Sequence, residues 1–146
     1  MLTRQEAPDW VIRDATPEDA AAVLAIWRRS EARPSLTDNE DVIRALVQRS
    51  PGALFLADVK GKVVGAVIAT FDGWRGNIYR LAVDADYRRR GLARAMVAEA
   101  EGRLKALGAR RVSALVESDH PWATAFWDEV GYDRDPIMLR YFKNLT

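Results

Sequence analysis

The chain has 146 residues, 49% of them hydrophobic and 29% charged, with a formal net charge of +1. This length suits one domain, 1–146, able to bury about 68–70% of the surface its unfolded chain exposes. The balanced charge excludes a broad electrostatic footprint for nucleic acid. The lack of cysteine excludes disulfides, cysteine-ligated zinc and a cysteine nucleophile, and a single histidine excludes a multi-histidine metal site.

Met1 to Glu6 is polar and lacks an apolar signal core. The apolar run from Val63 to Phe71 is far short of a membrane span and is interrupted by Gly65 and Thr70. A cytoplasmic protein with neither a membrane nor a nucleic-acid partner is therefore expected.

Trp10 to Ala15 reads as a first strand. Thr16-Pro17-Glu18-Asp19 reads as a helix start, with Thr16 as cap, Pro17 in the first turn and acids behind it. Ala22, Val23, Ile26 and Trp27 give that helix an apolar stripe, and Arg28-Arg29 suits its negative pole. Arg33-Pro34-Ser35-Leu36 breaks the chain. Thr37 or Asp38 then caps a second helix carrying Val42, Ile43, Leu46 and Val47. Asp38, Glu40 and Asp41 suit a helix N-terminus, although they could also attract an amine.

A hairpin follows, Leu54 to Val59 and Lys62 to Phe71, joined by Lys60-Gly61. Phe71 to Asn77 forms the next turn. Asp72 in Asp-Gly is ordinarily a turn residue, with acceptor binding or catalysis as the alternative. Trp74 in the same turn is a packing lid or faces an acceptor.

Ile78 to Val83 reads as a buried strand with one Arg inside it. Asp84-Ala85-Asp86 ends the strand, and Arg88-Arg89-Arg90-Gly91 forms a basic turn. Leu92, Met96, Ala100, Leu104 and Leu107 then share one helical face, Glu99 and Arg103 sit on the other, and Gly108 ends the helix. A run of charge is commonly just a solvated turn. A strand before it and a helix after it make an anion site, because the first N–H groups of a helix lack partners and carry the positive end of its dipole. Gly91 and Ala93 are small enough to let a phosphate approach the main chain.

Past Gly108, Arg111 to Val116 reads as a strand and Trp122 to Val130 as a short helix closed by Gly131. Tyr132 to Arg134 and Ile137 to Phe142 read as a final hairpin. The order β-α-α-β-β-β-α-β-α-β-β, with its hairpins, predicts an α+β layer fold on a mostly antiparallel sheet.

Arg88-x-x-Gly91-x-Ala93 resembles the pyrophosphate-binding signature Q/R-x-x-G-x-G/A of the GNAT superfamily of acetyl-CoA-dependent N-acetyltransferases. The resemblance runs from Val11 to about Phe142. It implies α/β/α layers, with parallel fourth and fifth strands splayed to admit acetyl-CoA as cosubstrate. It also implies that Arg88, Arg89, Arg90, Gly91, Leu92, Ala93 and Arg94 hold the pyrophosphate. The backbone of Leu81, Ala82 and Val83 would pair the pantetheine arm and offer an N–H to the thioester oxygen. No metal is implied. The segment Ser118 to Tyr132 is similar to the family's second motif at Ala123, Phe126, Gly131 and Tyr132. It departs from it at His120, where Asn is common, and at Trp127, where Tyr is common. Ala123, Phe126 and Trp127 would then border the cosubstrate.

The family's Tyr often protonates the leaving thiolate. Indole has no useful acidity, so water, Tyr132 or Tyr141 would replace it. Glu117 and His120 are the candidate bases for the amine; a solvated strand end and a helix cap are their structural alternatives. In the family, the loop between the first two helices, here Glu31 to Asp38, and the end strands, here Pro136 to Phe142, shape the acceptor pocket. The acceptor would be an amine on a small molecule or a protein. An edge strand near the C-terminus could pair two copies into a homodimer.

Two other readings stay open. One is a non-catalytic acyl-CoA-binding sensor or interaction module, which the missing Tyr favours. The other is a nucleotide-binding βα turn, which the absence of G-x-G-x-x-G disfavours. Release of CoA with amines separates the first from a transferase.

Overall fold

The computed structural model describes residues 9–30 and 32–146. Met1 to Glu6 and Glu31 lie outside the described residues. The chain folds as two compact units that divide after Ser113.

The first unit is built on a sheet of order β1-β2-β3-β4-β5. Its strands are β1 Val11–Asp14, β2 Leu54–Val59, β3 Lys62–Phe71, β4 Gly76–Val83 and, at the unit boundary, β5 Val112–Ala114. The first three pairings are antiparallel, and β5 runs parallel to β4. The mostly antiparallel α+β arrangement is as expected, although β5 is shorter than the stretch Arg111 to Val116. Lys60 and Gly61 form the β2–β3 turn with φ of 50° and 89°, and Gly61 N–H donates to Asp58 Oδ1 at 2.7 Å. Both left-handed residues are what a tight hairpin needs.

Helices α1 Ala20–Arg29 and α2 Glu40–Arg49 cover one face. Their core joins Val23, Ile26, Trp27 and Ile43 to Leu54, Leu56, Ala66 and Ala82. Helix α3, Leu92–Leu107, lies against β3 and β4. A Cβ added at Gly65 would sit 2.7 Å from Met96 Sδ, and one at Gly76 would sit 3.0 Å from a Leu104 methyl, so α3 packs where two strand residues have no side chain. Leu92, Met96, Ala100 and Leu104 are at most 1% exposed, whereas Leu107, expected on the same stripe, is 62% exposed. The step of three residues from Leu104 rotates it off the buried line at the last turn.

The helix starts differ in detail from expectation. A 3-10 turn, Pro17–Asp19, precedes α1, and the Asp19 carboxylate takes the Thr16 N–H at 2.7 Å. Helix α2 is capped by Asn39, whose Oδ1 accepts from Val42 N–H at 2.9 Å. Thr37 and Asp38 do not cap it: Asp38 is engaged by Arg80 of β4.

The Arg13 guanidinium makes a two-pronged contact to Asp19 at 2.8 and 2.9 Å and reaches Asp58 at 3.0 Å. The hydrogen bonds from Arg13 lower the Asp19 pKa to about 2 from 3.8. The stability that this carboxylate contributes is therefore complete above about pH 4 and is lost as the pH falls towards 2. Asp19→Asn should cost on the order of 1–2 kcal/mol at neutral pH. Acid melts of the two proteins check this: their stabilities should draw together as the pH falls through about 2.

The second unit contains α4, Pro121–Glu129, with Gly131 at φ 93° behind it. Trp127 is 9% exposed and packs edge-on against Phe126 and Tyr132, with ring centroids at 5.5 and 4.7 Å. Tyr132 N–H donates to the Trp127 carbonyl at 3.0 Å. The final hairpin does not form: no strand occurs in 132–146. Asp135 Oδ1 instead accepts the N–H groups of Ile137 and Met138, turning the chain behind Pro136. Ile137, Met138, Leu139, Tyr141 and Phe142 are 72–90% exposed. An apolar run alone cannot make a strand without a neighbour to supply ladder bonds and burial.

Candidate active site

The distinctive feature of β4 is an irregularity in its middle. Ala66 pairs with Ala82 and Ile68 with Tyr79, so Arg80 and Leu81 together oppose Val67. Arg80 has φ 55°, in the left-handed region that a side chain rarely adopts. The extra residue reverses the strand's faces. Gly76 faces Leu104 of α3, yet Ala82 belongs to the core under α1 and α2. The apolar sequence Ile78 to Val83 gives no notice of this shift, apart from the Arg inside it.

At the end of β4, Ala82 and Val83 are buried and Asp84 N–H donates to the Val64 carbonyl at 2.8 Å. A 3-10 turn, Ala85–Tyr87, leads into Arg88, and Arg89 and Gly91 take left-handed φ of 63° and 83°. Gly91 is the N-cap of α3 and supplies no side chain to its first N–H groups, and the first internal bond is Ala95 N–H to the Gly91 carbonyl at 3.0 Å. The space beside Gly91 is open: an added Cβ would meet nothing within 4 Å. Arg88, Arg89, Arg90 and Arg94 are exposed around it. Arg88 Nε donates to the Val83 carbonyl at 3.4 Å, and the Arg90 guanidinium lies 4.9 Å from the Tyr87 ring. Leu92 is buried and anchors the helix, so of this residue only the main chain faces the turn. Positive charge, a helix N-terminus without a side-chain cap and an unobstructed approach coincide here, as an anionic phosphate needs.

Beside this turn, a cavity of about 550 Å³ is lined by Ile26, Arg29 and Ser30 of the α1 end, by Lys62, and by Val83 to Asp86. Arg29 reaches Asp84 at 3.5 Å.

In the second unit, the Glu117 carboxylate lies 2.8 Å from His120 Nε2, and His120 N–H donates to the Glu117 carbonyl at 3.2 Å. Both side chains are about a quarter exposed, at 29% and 24%. His120 is the N-cap of α4 by position, and its carbonyl accepts from Ala123 and Thr124. His120 thus holds the cap position without a side-chain cap hydrogen bond, and its ring is turned to Glu117 instead. Glu117, Asp119 and His120 also bring one ligand atom each within 4.8 Å of one another, a spacing that a divalent cation tolerates.

Asp72 accepts the N–H groups of Trp74 and Arg75, both at 2.8 Å, and these bonds hold its pKa below the ordinary carboxylate value. Its geometry is that of a turn residue. Trp74 is exposed, with the Arg75 guanidinium 4.1 Å from its ring. Glu40 and Asp41 pair with Arg44.

The same strand–turn–helix lies inside a match to the acetyltransferase (GNAT) family over residues 20–132. The chain belongs to the GNAT family. It is an acyltransferase by that membership. An acetyltransferase of Sodalis glossinidius (strain morsitans) is 30% identical over 134 residues, 92% of this chain and 94% of that protein. An acetyltransferase of Pectobacterium atrosepticum is 30% identical over 122 residues, 84% of this chain and 86% of the other. The PaiA N-acetyltransferase of Thermoplasma acidophilum, solved with coenzyme A, superimposes with a TM-score of 0.80 at 15% identity, covering 88% of this chain and 92% of that one. Ard1 of Thermoplasma volcanium gives 0.76 at 23% identity over 85% and 82%. Among the described residues, no helix is long and apolar enough to cross a membrane.

Proposed function

We propose that this GNAT enzyme, one acetyltransferase domain over 1–146, moves an acetyl group from acetyl-CoA to a primary amine of a small molecule or a protein, by direct attack in a ternary complex. The observation that supports this most is the open, side-chain-free N-terminus of α3 at Gly91, ringed by arginines. The coenzyme A bound to the PaiA N-acetyltransferase agrees with it. The pyrophosphate sits on the Gly91 turn, the pantetheine arm runs along Leu81 to Val83, and an N–H at Ala82 or Val83 receives the thioester oxygen as charge builds on it. The amine nitrogen forms the new C–N bond, the C–S bond breaks, and the thiolate takes a proton from solvent. A thiol pKa of about 8.5 makes thiolate a tolerable leaving group without a tyrosine acid.

Glu117 and His120 form the pair that accepts the ammonium proton. Glu117→Gln and His120→Asn should each lower kcat roughly tenfold, less than the 10²–10⁴ of a sole base because the partner remains. Thiol release from acetyl-CoA with a panel of primary amines, including a peptide N-terminus and a free lysine, tests the reaction. The absence of protein thiols keeps its background low. Trp127, buried where the family often has Tyr, favours a second reading, a non-catalytic CoA-binding module. That reading holds if acetyl-CoA raises the melting temperature while no amine releases thiol.

A further inference from the structure

Arg80 holds a conformation that glycine would adopt without strain. The bulge needs the φ angle but not the side chain, so the side chain has its own employment. Its Nη2 donates to both Asp38 carboxylate oxygens at 2.8 and 2.9 Å, to the Arg33 carbonyl at 3.1 Å and to Ser35 Oγ at 3.4 Å. The guanidinium lies 5.4 Å from the Trp27 ring of α1. The pair is largely covered, the Arg80 and Asp38 side chains being 21% and 14% exposed. Asp38 in turn shapes the segment that carries it: Oδ2 accepts the Ser35 N–H at 3.1 Å, and its own N–H donates to the Ser35 carbonyl at 3.0 Å. One arginine thus ties residues 33–38 to the middle of β4.

That segment leaves α1 at Ser30, which with Ile26 and Arg29 forms one wall of the cavity whose other wall is Val83 to Asp86. Arg80 stands just before Ala82 and Val83 on the same strand. We infer that the Arg80–Asp38 pair is a latch that holds the segment after α1 against the β4 bulge, and that Arg80 is thereby a positioning residue for the amine acceptor, an assignment that rests on the proposed acetyl transfer. The pyrophosphate turn lies beyond Val83 and does not depend on the latch.

The test compares wild type with Arg80→Gly, Arg80→Ala, Arg80→Lys, Asp38→Asn and the Arg80→Gly/Asp38→Asn double variant. Glycine removes the side chain and relieves the backbone together, which separates loss of the latch from strain. With the amine that releases thiol fastest in the panel, Arg80→Gly, Arg80→Ala and Asp38→Asn should each raise the amine KM about tenfold with kcat nearly unchanged. The double variant should be no worse than either single one, Arg80→Lys should recover part of the loss, and the acetyl-CoA-induced melting shift should persist in all. An unchanged amine KM in a folded Arg80→Gly protein, or additive effects in the double variant, overturns the latch. If no amine releases thiol in wild type, the acetyl-transfer reading fails, and hydrogen exchange alone decides. Faster exchange across 32–38 in Arg80→Gly and Asp38→Asn, with β4 amides still protected, supports the latch; unchanged exchange overturns it.

Discussion

Gly91→Glu should abolish the rise in melting temperature that acetyl-CoA gives the wild type. At 100 times its dissociation constant the ligand should stabilise the wild type by about 2.7 kcal/mol, a shift of roughly 5–10 °C at this chain length. Gly91 has φ 83° and open space where a Cβ would go, so a Cβ there brings backbone strain of about 1–2 kcal/mol and no collision of its own. Gly91→Ala isolates that strain: it should melt lower but keep most of the acetyl-CoA shift. Gly91→Glu adds a carboxylate beside the α3 N-terminus, where the pyrophosphate charge is expected. The comparison of the two variants, each with and without ligand by differential scanning fluorimetry, is the measurement. An equal shift in both would move the pyrophosphate away from this turn.

Truncating Leu104 to Ala should cost about 3 kcal/mol, within the range for a fully buried leucine, and lower the melting temperature by roughly 10 °C. Leu104 is 0% exposed, and its two methyls lie 3.0 and 3.3 Å from where a Cβ on Gly76 would stand. Gly76→Ala alone should therefore be destabilising. In the Leu104→Ala background the added methyl enters vacated space, so the double variant should lose clearly less than the sum. Chemical denaturation of the four proteins measures this coupling. The acetyl-CoA shift should survive in each, because the Gly91 turn is at the other end of α3; its loss in Leu104→Ala would mean that helix packing sets the turn.

The elements visible in the sequence are those whose reasons are local. Lys60-Gly61 adopts a hairpin turn because two adjacent left-handed residues suffice for it, and Gly108 ends α3 at φ 107° for the same kind of reason. Gly91, the arginines around it and the helix behind them are contiguous, so the basic turn and the family signature can be read together. Asp38 reads as a cap because caps too are local, yet the structure gives that role to Asn39 and pairs Asp38 with an arginine 42 positions away. The final hairpin fails for the converse reason: an apolar run is present in Ile137 to Phe142, but a strand exists only where another chain segment offers an edge.

From the order of residues alone follow the strand, the basic turn and the helix behind it, and the membership that goes with them. Each is settled by interactions within one or two turns of backbone. The placement of Arg80 against Asp38, of Leu104 against Gly76, and the reversal of β4 at its bulge depend on which strands lie side by side. Those contacts join residues far apart in the chain, whose proximity is a property of the packed sheet and of no short stretch within it.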